Sequence, residues 1–206
     1  MISNHSELTK IQYKSLLFVA LLQGLALLLL HQALEFKWII AESPAVLFAC
    51  YSVAIIFPTL SIYGITQQTT RKYYWFISLF TLFCAALGAY TGSQIASLSS
   101  DSLGMYSFTY GLVMTVVVFK VLLFSQALIN DSKKCSIDYS LLIQRACHLF
   151  ITLFFAALFT LVMWLILILW AELFAAINIT VFQRLFYEPW FFYPMLTLSH
   201  TLAYLK

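Results

Sequence analysis

Five long apolar runs, separated by short polar breaks, organise this chain. They cover Ser15–Leu34, Pro44–Ile65, Tyr73–Ser97, Leu103–Ile129 and Cys147–Ala176. An α-helix needs about 20 apolar residues to cross the hydrocarbon core of a bilayer. All five runs meet that length. They lack the period-two alternation of a membrane β-barrel strand. The pattern predicts an all-α, polytopic transmembrane protein with five spans, forming one multi-pass membrane domain over 1–206. Pro44, just after Ser43, sits where proline favours a helix start.

After the fifth run the pattern changes. Ile179, Val181, Phe182, Leu185 and Phe186 alternate with polar residues at helical spacing. The segment near 179–193 reads as a short helix in the membrane interface, broken at Glu188-Pro189 and followed by an aromatic belt, Trp190 to Tyr193. Pro194 then opens another element with about a dozen residues left, fewer than the ~20 of a full crossing. This element is either re-entrant or interfacial, or a sixth span cut off at Lys206. The expectation is that the chain is the front part of a longer protein.

Composition supports the membrane reading. The chain is 63% hydrophobic and 9% charged, against about 25% charged in a soluble domain. A folded soluble chain of this size could not hide so much apolar surface, so the lipid bilayer is the expected partner. The net charge of +3 is small, and no basic tract is dense enough for nucleic acid. Cys50, Cys84, Cys135 and Cys147 contain no CxxC pair. Cys50 and Cys84 fall inside apolar runs and read as small buried hydrophobes.

Loop charges orient the chain. Lys10, Lys14, Arg71, Lys72, Lys133, Lys134 and Arg145 fall on one side, and Lys37 and Arg184 on the other. Positive-inside bias places the N-terminus in the cytoplasm. The polar stretch Asn130–Arg145 reads as the longest loop.

Few groups inside the runs carry chemistry. Lys120 lies about 5 Å from the middle of its run, on the cytoplasmic side. A lysine near the centre of a span costs roughly 2.5–3.5 kcal/mol on insertion scales, and the helix end nine residues away is ~14 Å off. A partner at the same depth is expected. Gln23 is near mid-membrane, and Pro58 cannot donate to the carbonyl of Ala54. Lys120, Gln23 and Pro58 therefore form a candidate intramembrane polar cluster. It reads either as an ion or substrate path or as a polar contact holding helices in register. Glu35, Glu172 and His31 sit at outer helix ends and read as interfacial.

Cys84, Gly88, Gly92 and Ala96 recur every four residues and form a candidate helix-packing stripe. Small residues let another backbone approach closely, either from another helix of the chain or from a second copy. No catalytic constellation, metal-ligand spacing or cofactor motif is visible: all three aspartates lie in loops, and there is no HExxH. The residues indicate a protein that is not an enzyme.

Several segments resemble the amino-terminal part of a bacterial membrane family, domain of unknown function 4153. They are Leu21-Leu22-Gln23-Gly24-Leu25-Ala26-Leu27, Leu167 to Phe174 with its Trp170, Phe182-Gln183-Arg184-Leu185-Phe186, and Phe192-Tyr193-Pro194. The resemblance implies a bacterial inner-membrane protein continuing into further spans. It supplies no functional residue.

Two readings of function follow: a non-enzymatic membrane module that packs with other helices or a partner, or a transporter- or channel-like protein with a polar site at Lys120. The charge pattern can be tested directly. A reporter active only outside the cytoplasm should be active when fused after Lys37 and silent after Lys134. The opposite pattern would overturn the orientation.

Overall fold

A computed structural model describes residues 10–64, 71–95, 100–130 and 139–205, without the side chains of 10–12, 71–72, 100–104, 126–130 and 141. Among the described residues every regular element is helical. The elements are α1 (Lys10–Glu35), α2 (Ile39–Glu42), α3 (Pro44–Gly64), α4 (Arg71–Ile95), α5 (Ser100–Asn130), α6 (Tyr139–Ala176), α7 (Val181–Tyr187) and α8 (Pro189–Tyr204). Stretches of α1, α3, α4, α5 and α6 are long and apolar enough to cross a membrane. The chain is an all-α polytopic membrane protein whose lipid-exposed walls carry many large apolar side chains.

Helix ends differ from the apolar runs where local chemistry extends or stops the helix. α6 covers Tyr139–Ala176 and so includes residues well before Cys147, which places Arg145 on the helix. Tyr139, Leu142 and Ile143 keep helical spacing there. Ile65 and Ser97 lie outside the described residues.

α1 and α6 stop by the same device. After α1, Trp38 N–H donates to the Ala33 carbonyl and Lys37 N–H to that of Leu34. After α6, Ile179 N–H donates to Phe174 and Asn178 N–H to Ala175. These are the paired bonds of a Schellman cap. The pivot residues Lys37 and Asn178 have φ of 49° and 63°. Asparagine tolerates that conformation, whereas lysine is strained in it.

The last helix corrects the sequence reading. Pro189, not Pro194, opens it, immediately after Glu188 at the helix N-cap. A proline in the first turn loses no hydrogen bond. Trp190 to Tyr193 become its first turns, and Pro194 lies in its interior. At 16 residues α8 is ~24 Å long.

α8 runs antiparallel to α1. The Tyr193 hydroxyl lies 3.2 Å from His31 Nδ1 at one end. Leu205 packs on the cluster that contains Leu16 at the other. Between them the backbones nearly touch. A Cβ on Gly24 would lie 2.5 Å from Pro194 Cα and 2.7 Å from Thr197 Oγ1. Thr197, Ser199 and Thr201 are buried, yet each hydroxyl donates to a carbonyl of its own helix. In the bilayer such back-bonding removes the cost of an unpaired donor.

α3 is the centre of the bundle. It packs most heavily on α4 and also on α1, while α8 lies between α1 and α6. The core cluster includes Leu16, Leu60, Tyr73, Leu122 and Leu149. These come from the start of α1, the end of α3, the start of α4, the end of α5 and the start of α6. The bundle is therefore closed at that end. Tyr73 fastens it further by donating to the Leu60 carbonyl at 3.1 Å. Towards the opposite end α5 diverges, and Met105, Phe108 and Leu112 are exposed.

The close approach at Gly24 has a measurable consequence. Gly24→Leu should destabilise the protein by about 1–3 kcal/mol, the usual cost of overpacking, read as a lower thermal midpoint in detergent. A Cβ on Gly111 meets nothing within 4 Å, so Gly111→Leu should leave the midpoint unchanged. Equal effects would contradict the packing.

Candidate functional site: two grooves beside α3

α3 has a groove on each side of Ile55, Thr59 and Tyr63, which line both. The first lies between α3 and α5, with a volume of about 900 Å³. Its wall is apolar apart from a few hydroxyls, among them Ser52, Tyr110 and Thr115. It exists because α5 touches α3, α4 and α6 only lightly.

Tyr110 is the polar tie across this side of the bundle. Its hydroxyl lies 2.8 Å from Ser52 Oγ on α3 and 3.3 Å from the Cys84 carbonyl on α4, and its single proton is shared between these two acceptors. Ser52 also donates to Phe48 at 2.7 Å. The Tyr110 ring meets Phe48 edge-on. Gly88 makes room for this group, since a Cβ there would lie 2.6 Å from Ser52 Oγ and 2.9 Å from Tyr110 oxygen. At Gly92 a Cβ would strike the Pro44 carbonyl oxygen at 2.4 Å. Cys84 is buried. Gly88 and Gly92 thus face α3 of the same chain; Ala96 lies outside the described residues.

The second groove, about 680 Å³, lies among α1, α3, α6 and α8. Gln23, Trp164, His200, Thr160, Thr197 and Leu196 are among its walls. Phe192 covers Trp164, with ring centroids 4.8 Å apart. His200 Nδ1 is 3.5 Å from Thr160 Oγ1, which also donates to the Ala156 carbonyl at 2.8 Å. Tyr63 meets the His200 ring edge-on.

Lys120, Gln23 and Pro58 are not gathered into one cluster. Gln23 lines the second groove. Pro58 is buried within α3. Lys120 is exposed on α5 and lines neither groove. The inward face of α5 is set by Tyr110, Met114, Val118 and Leu122. Lys120 is about 160° from Leu122 at 3.6 residues per turn. Depth matched these residues, but helix rotation separates them. The apolar run of α5 continues to Ile129, ~14 Å along the helix from Lys120. A lysine stem covers part of that distance and, from the exposed face of α5, leans its ammonium towards the headgroups.

Glu35 and Glu172 do sit at helix ends. His31 Nε2 is 3.6 Å from Glu35 Oε1, and Gln183 donates to Glu172 at 3.3 Å. Sequence reasoning missed that Trp164 and His200 line the same groove as Gln23. The signal available was the shared mid-span depth of Gln23 and Trp164, but nothing in the chain showed that α8 would bring His200 to that groove.

Comparison with models of known families, with curated proteins and with solved structures yields no match.

The Tyr110 tie can be weighed. Tyr110→Phe should cost about 0.5–1.5 kcal/mol, the range for a hydrogen bond inside a membrane helix bundle, measured by denaturant titration in micelles. Tyr106→Phe, at an exposed site, serves as the control and should have no effect. Indistinguishable variants would mean that the tie contributes nothing.

Proposed function

We propose that the chain is a non-enzymatic module of a bacterial inner membrane, with its N-terminus in the cytoplasm, that packs with a further transmembrane helix along α5. The observation that supports this most is the poor cover of α5 by its own chain. Only 11% of its apolar window is buried, against 33% for α3 and α4. Gly111, in the middle of that helix, opens onto free space, and a glycine facing lipid gives up side-chain packing that a second helix would recover. Exposed Ser107 and Thr115 stand one turn to either side. The loop charges support the orientation.

The transporter-like alternative rests on a polar site around Lys120. That side chain is exposed and lines neither groove, so the module reading has the better support.

A photoreactive amino acid at Gly111 or Val116 tests the proposal in native membranes. The expected result is one cross-linked species of fixed mass, lost when Thr115 is replaced by Trp to block the face. Lipid adducts alone, at both positions, would overturn it. Lys120→Leu separates the readings: a module should keep its cross-link, whereas a transport site should lose its phenotype.

A further inference from the structure

The second groove holds an imbalance of hydrogen bonding that its own walls do not resolve. The hydroxyls of Thr59, Thr160, Thr197 and Thr201 donate to carbonyls of their own helices. The Tyr204 hydroxyl, nearby, donates to the Tyr63 carbonyl. Two donors are left over. The indole N–H of Trp164 is buried and has no acceptor. The side-chain amide of Gln23 has no hydrogen-bond partner among the described residues. Both belong to walls of the same groove, and both lie in the middle part of apolar spans. Water is scarce at that depth, so an unpaired donor there is costly.

The rest of the wall restricts what can resolve the imbalance. Among the described residues no Asp, Glu, Lys or Arg lines the groove, which favours an uncharged occupant. Leu27, Ile62, Leu161 and Leu165 supply an apolar surface. A volume of about 680 Å³ falls within the usual range for small-molecule sites, as does the pattern of an apolar wall with a few convergent polar groups.

We infer that the groove among α1, α3, α6 and α8 binds an uncharged, lipid-soluble carbonyl compound, whose oxygen accepts a hydrogen bond from Gln23 and, with Phe192 displaced, from Trp164. Its apolar body lies along α6 and α8. The site is reached sideways from the bilayer. It is separate from the α5 face and does not depend on the packing role proposed for that helix.

The test uses the full chain in phosphatidylcholine nanodiscs and a decyl-substituted benzophenone. This probe carries both the carbonyl and the photochemistry. Labelling is expected to saturate and to map to α1, α6 and α8. The unlabelled ketone should compete at least fivefold better than decyl-diphenylmethane, which has the same body without the carbonyl. Gln23→Leu should weaken labelling about three- to tenfold, the effect of one hydrogen bond, while keeping the wild-type helical content. Non-saturable labelling spread over α5 would overturn the inference. So would equal competition by the hydrocarbon, which would make the groove an acyl-chain slot. That comparison is made on the wild-type chain, so it decides the matter even if Gln23→Leu fails to fold.

Discussion

The contact between α1 and α8 at Gly24 determines the shape of this molecule. Helices in lipid gain nothing from hiding apolar surface from water, because the surrounding acyl chains are equally apolar. They associate where backbones can approach and dispersion contacts accumulate. Gly24 offers no side chain, and Pro194 fits into the space. That seats α8 between α1 and α6. Without α8 the second groove would lose the wall that carries Phe192, Leu196 and His200.

The α3–α4 hairpin uses the same physics. Gly88 and Gly92 admit α3, and Tyr110 reaches into the gap from α5. The bundle is tight where the ends of five helices meet around Leu60 and open where α5 diverges. Most hydroxyls on the packed faces, Ser61, Thr160 and Thr201 among them, satisfy themselves by bonding back along their own helices. Among the described residues the buried exceptions are the Thr81 hydroxyl and the Trp164 indole N–H, and only Trp164 lines a groove.

Much of this was legible from the amino acids. The five apolar helices follow from a bilayer thickness that only about 20 apolar residues can span. The stripe at Cys84, Gly88 and Gly92 could be read from its spacing. Other features were not legible, for identifiable reasons. Two prolines five residues apart each looked able to start a helix, and only the space at Gly24 shows why Pro194 is tolerated inside α8. Depth can be counted along a sequence, but rotation about the helix axis cannot. Lys120 and Gln23 were matched in depth, yet the residues that turn α5 inward leave Lys120 outside. The hydropathy of α6 was clear, but its start at Tyr139 depends on helical spacing that continues past the apolar run.

The central claim is that α8 lies lengthwise against α1 and does not rest in the interface. Spin labels at Phe18, Leu34 and Leu202, all exposed, test it by pulsed distance measurement in nanodiscs. α1 alone separates Phe18 from Leu34 by ~24 Å. The antiparallel seating requires Phe18 and Leu202 to be the close pair and Leu34 and Leu202 the distant one. A shorter distance from Leu202 to Leu34 than to Phe18 would place α8 in the interface and contradict the fold described above.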